Sequence, residues 1–414
     1  MHRGPKVVET RDNLQAAYAA ALRGRALPLA FVDVDAFDHN LARLLLPASL
    51  HNKKVRLATK SLRCPALIER AVQHSAGLIH GLMTFTARET LHWAERGVQD
   101  LLLGYPLGGP HDAQLLAQAN QLTHAAAMID AAQHVAWLAA AARAAHVKIP
   151  VWLDLDMGWR PIGRTHIGVR RSPLRTADDV VALARRVAEE PSLQLRGLMG
   201  YEAHVAGLPD DGRLAAWQNP FKRWIKARSW PDIVARRGQA VAALRAGGLL
   251  PPDADWSCNG GGSGSVDRTA QDPSVTEITI GSGILVGHLF DGYRGLDLQP
   301  SLHFALAVTR TPSPGIATCG GGGWIASGSS GSDRLPMPVW PVGSQLLGIE
   351  GAGEVQTPVV LPAGAPAQIG DPVVFRPAKS GELAEIFSEY VLFSEGALGA
   401  HVATYRGLGW SAWA

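Results

Sequence analysis

The chain has 414 residues, 47% hydrophobic and 18% charged, with 39 Lys and Arg against 36 Asp and Glu for a net charge of +3. This composition supplies a large core and excludes a disordered chain, and the even charge balance excludes a dedicated nucleic-acid or membrane-surface protein. Three widely spaced cysteines, Cys64, Cys258 and Cys319, exclude a disulfide scaffold and a cysteine-rich zinc module. Within residues 1–28, Asp12–Arg23 reads as a helical arm that would pack on the last part of the chain. From residue 29, short β-rich runs alternate with Ala-rich helical runs. The strands read LAFVDVD (29–35), VRLATK (55–60), GLIHG (77–81), DLLLGYP, HAAAMID, IPVWLDLDMG, LQLRGLMGYEAH, WSCNGGGSGS and TEITIGSG. Helices such as PALIERAVQH, ARETLHWAERG, AQHVAWLAAAARAA and ADDVVALARRVAEE separate them. Repeated βα units mean a parallel sheet, and about eight of them predict an α/β fold with a (βα)8 TIM-type barrel over residues 29–295. A doubly wound sheet is the alternative. Past Gly295 the runs HFALAVTRT, VQTPVVL, DPVVFRP, EYVLFS and HVATYRG, divided by Gly and Pro, predict a C-terminal all-β domain over 296–414.

No apolar signal region opens the chain, and the Ala125–Ala145 stretch is broken by Asp130, Gln133, His134 and Arg143. Neither a secretory leader nor a membrane span is expected, and a reducing, cytoplasmic setting fits the cysteines.

Lys60 is the most informative residue. It ends an apolar strand, and in a (βα)8 barrel the C-terminal strand ends face the active site. An amine in that partly dry mouth is a nucleophile toward aldehydes and forms Schiff bases; a snorkelling strand-end lysine is the competing reading. Two Gly-rich turns follow late strands, Asn259–Ser265 (NGGGSGS) and Gly281–Gly283 (GSG). Consecutive backbone N–H groups in such turns can face a phosphate, or the turns are simply tight βα connections. Neither is a dinucleotide or P-loop fingerprint, and no G-x-S-x-G or HExxH occurs. Asp154, Asp156 and Arg160 (LDLDMGWR) and Tyr201, Glu202 and His204 (GYEAH) add polar groups at two further strand ends, with structural hydrogen bonding the competing role for each.

These segments in this order resemble the D-threonine aldolase / D-serine dehydratase-like family, on the alanine racemase fold of fold type III pyridoxal phosphate enzymes. The carrying stretches are FVDVDAFDHN, VRLATKSLRCP, LLLGYP, LDLDMGWRPIG, GLMGYEAHVAG, CNGGGSGS and TEITIGSGILVGHLFD. In the β domain they are CGGGGWIASG, EGAGEVQTP and GDPVVFRPAKSGEL. The resemblance implies pyridoxal 5'-phosphate as cofactor, Lys60 as its Schiff-base lysine and Tyr201 near the pyridine nitrogen. It also implies phosphate-holding turns at Gly261, Gly262, Ser263, Gly281, Ser282 and Gly283. Arg160 would face the cofactor phenolic oxygen or the substrate carboxylate, unless the family arginine aligns one position on, at Pro161. His204 and Lys379 are the further catalytic candidates beside Lys60, and the acid/base group at the β-carbon is left open. The implied activity is reversible cleavage of β-hydroxy-D-amino acids to glycine and an aldehyde, by a homodimer acting on small amino acids. Dehydration or deamination, racemisation, and a non-catalytic pyridoxal phosphate carrier are the alternatives.

The chain departs from the family at the H-x-C or H-x-D metal pair, which would fall on Pro377 and Lys379. Proline cannot ligate and an ammonium repels a cation, so no divalent metal is expected at that position. Lys379, partnered by Glu382, would bring a positive charge to that place instead; a surface salt bridge between the two, three residues apart, is the competing reading.

Overall fold

The computed structural model describes residues 11–212, 216–251, 256–365 and 367–413. The first ten residues of the sequence-predicted arm lie outside the described residues. The helix Arg11–Leu22 leads to β1 (Leu29–Asp33). Eight parallel strands then close a barrel: β2 (Lys54–Ala58), β3 (Ile79–Thr84), β4 (Asp100–Leu103), β5 (His124–Ile129), β6 (Ile149–Asp154), β7 (Leu193–Gly200), β8 (Ser257–Gly260) and β9 (Glu277–Ile280). β9 closes on β2 with Val55 opposite Ile278.

Alternation along each strand divides the side chains. Val55, Leu57, Leu101, Leu103, Ala125 and Ala127 join the core shared with the surrounding helices. Ala58, Met83, Leu102, Ala126, Met128, Trp152 and Met199 form a separate apolar cluster. Trp152 packs on Gly197, directly opposite it on β7, where any side chain would overlap the indole. Below this cluster lies a buried ionic layer. Arg56 donates to Glu277 at 2.9 and 3.0 Å and to Asp100 at 2.7 Å, with its guanidinium 5.5 Å from the Trp152 ring centroid. His80 Nε2 stands 2.8 Å from Glu277 and Asn259 Nδ2 donates to Glu277 at 2.7 Å.

β1 is not a barrel strand, which corrects the expected barrel start at residue 29. It lies in the second sheet between β10 (Leu302–Ser313), antiparallel, and β16 (Glu389–Ser394), parallel. That sheet also holds β11 (Ile316–Gly320), β12 (Met337–Trp340), β13 (Gln345–Leu346), β14 (Gln356–Val360), β15 (Pro372–Arg376) and β17 (Ala397–Ala403). Its path runs β13-β14-β11-β10-β1-β16-β17, with β15 pairing β10 and β12 pairing β15. Phe31 shows why β1 belongs there. It is fully buried, stacked on His303 at 5.2 Å and met edge-on by Tyr18 of the first helix at 5.0 Å. Tyr18 also donates to Asp33 at 2.6 Å. Asp33 in turn accepts from Ala36 N (2.9 Å), capping the helix Val34–Leu50 that carries the chain to the barrel. No helix among the described residues is long and apolar enough to cross a membrane.

Candidate active site

A cavity of about 1350 Å³ opens between the C-terminal strand ends of the barrel and the β domain. β2 ends in a single 3-10 turn, Thr59–Ser61, so Lys60 leaves the strand end and lines the cavity. Thr59 is fully buried and donates to the Met83 carbonyl at 3.0 Å, which pins the turn to β3. Lys60 Nζ donates to the Tyr105 hydroxyl at 2.6 Å. Tyr105 comes from the loop after β4, so two strand ends already meet at the amine.

The two glycine turns are joined by one serine. Ser263 Oγ accepts from both Gly281 N and Gly283 N at 3.1 Å, leaving its own hydroxyl proton as a donor. A Cβ on Gly283 would stand 2.6 Å from the Ser263 Cβ, so glycine is what lets the turns approach. Gly261 has φ +79°, a left-handed conformation that favours glycine. Gly262, Ser263 and Ser282 line the cavity, while Gly261, Gly281 and Gly283 shape the turns behind them. Tyr201 also lines it, 3.4 Å from where a Gly262 Cβ would be, and burial pushes its phenol up to about 12. Beneath the turns, fully buried Glu202 accepts from Gly261 N (3.1 Å), Thr269 Oγ1 (2.6 Å) and Arg237 (2.9 Å). Arg237 is held in addition by Asp272 at 2.5 Å. This buried pair fixes the floor of the Gly261 turn.

Arg160 and His204 do not line the cavity, nor do Asp154, Asp156 and Glu202. Arg160 turns to Asp156 (3.2 Å) and His166 (3.3 Å), in a segment folded back by the Trp159–Ile167 bridge. His204 lies on the short helix Ala203–Ala206 after β7, buried, with neither ring nitrogen hydrogen-bonded. Burial lowers its pKa to about 4, which favours the neutral imidazole. A guanidinium that does line the cavity, beside Tyr105 and Tyr201, is that of Arg171, which sequence reasoning missed. It lies 5.8 Å from the Tyr105 ring centroid and 5.2 Å from that of Tyr201. Buried Asp154 is pushed up to about 7 by desolvation and by Asp130, with Arg171 acting in the other direction. Arg171 sits in the irregular polar stretch RTHIGVRRSPLRT, where no periodicity marks it.

The opposite wall belongs to the β domain. Lys379 and Glu382 both line the cavity. Lys379 Nζ donates to Ser327 O at 2.7 Å and contacts Ser327 Oγ at 3.2 Å. Ser327 in turn gives its hydroxyl and its N–H to Glu382. Burial lowers the Lys379 pKa, with Arg334 and Lys60 adding repulsion against the pull of Glu382. Pro377 offers only its carbonyl, to His288 N at 2.9 Å, and His401 pairs with Glu389 at 2.7 Å.

The alanine racemase N-terminal domain model matches residues 32–235. The 3-hydroxy-D-aspartate aldolase of Paracoccus denitrificans (strain Pd 1222) is 23% identical over 256 residues, 62% of this chain, and the match spans 59% of that relative. Among solved structures, D-threonine aldolase from Filomicrobium marinum superposes with a TM-score of 0.76 at 21% identity, covering 93% of this chain and 97% of that one. D-threo-3-hydroxyaspartate dehydratase from Delftia sp. HT23 gives 0.72 at 18% identity, covering 93% and 98%. At these identities the superpositions establish the fold. The matched segment holds Lys60, Arg171 and Tyr201, while the glycine turns and Lys379 lie beyond it. Residues 32–235 thus resemble the alanine racemase N-terminal domain, and the chain as a whole carries the alanine racemase-like fold.

Proposed function

We propose that this protein is a pyridoxal phosphate-dependent lyase, an aldolase that reversibly cleaves β-hydroxy-D-amino acids to glycine and an aldehyde, working as a homodimer. The observation that carries the reading is that Lys60, the Ser263-linked turns and Lys379 share one cavity. The residues fit the cofactor: a strand-end amine, two turns whose closeness any Cβ at Gly283 would destroy, and a serine with a hydroxyl proton to give. Pyridoxal phosphate, when bound, supplies a conjugated ring that takes up the electron pair released when a bond at the substrate α-carbon breaks. Lys60 would hold the aldehyde carbon, and Gly262, Ser263 and Ser282 the phosphate. Arg171, rather than Arg160, offers the guanidinium for a carboxylate or phenolic oxygen. Three buried, unpaired cysteines favour a reducing, cytoplasmic compartment.

Lys379 is the acid/base group. Its amine lines the cavity opposite Lys60, oriented by Ser327 and Glu382, where it would exchange the proton of a substrate β-hydroxyl, and burial lowers its pKa. With Pro377 and Lys379 at the family metal pair, the Lys379 amine would take the place of the metal. Replacing Lys379 by Met is expected to lower kcat roughly 100-fold with cofactor retained. Chelators are expected to leave wild-type activity unchanged. Activity lost to a chelator and restored by manganese or zinc would contradict this role. At the phosphate turns, Gly283→Ala forces a contact with Ser263 and is expected to weaken cofactor affinity about tenfold, in line with ~1–3 kcal/mol for overpacking. Equilibrium titration with pyridoxal phosphate, read by absorbance, checks it.

Incubation with D-threonine, D-serine and D-phenylserine tests the reaction. Glycine and an aldehyde are the expected products. Keto acid with ammonia would make the protein a dehydratase, the L-isomer a racemase, and retained cofactor without turnover a carrier.

A further inference from the structure

Lys60 is held by a network that begins in residues outside the cavity. Glu89, on the helix Ala87–Glu95, is fully buried. It accepts from Phe85 N at 2.8 Å and from the Tyr405 hydroxyl at 2.6 Å. Tyr405, 1% exposed, also accepts from Trp93 Nε1 at 2.8 Å and stacks on Trp410 at 4.3 Å. Trp410 in turn meets His92 at 4.4 Å, and Trp413 meets Phe85 at 5.5 Å. Tyr405 is thus wedged against the segment that follows β3, with Trp410 packed beside it and Trp413, mostly exposed, touching Phe85.

From there the contacts lead to the amine-bearing turn. Tyr405 N donates to the Arg63 carbonyl at 2.9 Å, and Arg63 N closes back on Thr59 O at 2.9 Å. Arg63 Nε donates to the Lys60 carbonyl at 3.0 Å, and Nη1 pairs with Glu385 at 2.6 Å. Arg63 has φ +48°, a conformation costly for a non-glycine residue and kept only where neighbours hold it. Gly381 presses on the same carbonyl, where a Cβ would overlap the Lys60 oxygen. Thr59 and the Arg63 charge also act on the Glu89 carboxyl, which burial pushes up to about 7.

We propose that the C-terminal segment Tyr405–Trp413 is a positioning element for Lys60, acting through the Tyr405–Glu89 hydrogen bond and the Arg63 turn to fix where the amine points. Of the residues holding the turn, Arg63 and Gly381 line the cavity, while Glu89, Tyr405, Trp410 and Trp413 do not. The inference rests on Lys60 being the reactive amine. It explains why fully buried polar groups with a strained arginine converge on a turn of three residues, when apolar packing would suffice for stability alone.

The test uses the cofactor-free full-length protein. Competitive acylation with a small amine-reactive reagent, read by peptide mass spectrometry across a pH series, reports Lys60 and Lys379 separately. Tyr405→Phe keeps the ring and removes the donor to Glu89. It is expected to change the Lys60 acylation rate at least threefold, or to displace its pH profile, while Lys379 labels as in the wild type. A Lys60 profile superimposable on the wild type, with lowered thermal stability, would assign Tyr405 a purely structural role and overturn the proposal. Should Tyr405→Phe fail to fold, Glu89→Gln replaces it with the same two outcomes. Because labelling needs no cofactor, the result stands apart from the functional reading, which fails separately if pyridoxal phosphate does not attach to Lys60.

Discussion

Lys60→Ala is expected to yield a folded protein that no longer retains pyridoxal phosphate through dialysis and whose amino-acid cleavage falls at least about 1000-fold. Folding should survive because the side chain is exposed into the cavity and hydrogen-bonds only Tyr105. The turn itself is held by backbone bonds and by Thr59 and Arg63, none of which the substitution removes. Catalysis should not survive, because Tyr105 and Tyr201 are phenols and Lys379 stands on the opposite wall with its own partners. Lys60→Arg keeps the charge but cannot condense with an aldehyde, so it should fail equally; retained turnover in either variant would mean that a different group carries the reaction. Near-ultraviolet circular dichroism separates loss of chemistry from loss of fold.

The second large effect concerns stability. Glu277→Ala is expected to destabilise the protein by about 3–5 kcal/mol, measured by urea unfolding at neutral pH. Arg56 is 2% exposed, and removing Glu277 leaves its guanidinium with Asp100, itself partly solvated, as carboxylate partner, while Asn259 loses an acceptor. Replacing Arg56 by Met and Glu277 by Leu together should recover part of the loss, since the penalty comes from stranding one charge rather than from losing the pair. The pH dependence follows in sign. Burial alone would raise the Glu277 carboxyl, yet Arg56 and a hydrogen bond from His80 hold it at about 2. A carboxyl depressed on folding stabilises fully above its unfolded value near 4.5, and that stabilisation is lost as pH falls toward 2. Wild-type stability should therefore fall steeply over that acid range, and the double variant should show a shallower fall.

The barrel could be read from the chain because its strands are short apolar runs spaced by amphipathic helices, and Lys60 because the strand-end rule gives a lysine there a meaning. β1 was misplaced for a physical reason: LAFVD is buried on both faces, so its pattern is the same in a barrel and in the middle of the second sheet. Its true neighbours, β10 and β16, lie some hundreds of residues away in sequence, beyond any local signal. The same limit hid Tyr405, which meets Glu89 and Trp93 only through the tertiary fold. Arg171 was missed because the Trp159–Ile167 bridge redirects the loop after β6, taking Arg160 to Asp156 and bringing a later arginine to the mouth. The glycine turns showed in composition, but their joining through Ser263 did not, since residue spacing says nothing about two loops touching.

The central claim is that the nitrogen at position 60 is where the cofactor attaches. Equilibrating the protein with pyridoxal phosphate, reducing with borohydride and mapping peptides by mass spectrometry tests it directly. A single pyridoxyl group on the peptide containing Lys60 is the predicted result. A group on Lys379 or on surface lysines, or none retained at all, would contradict it.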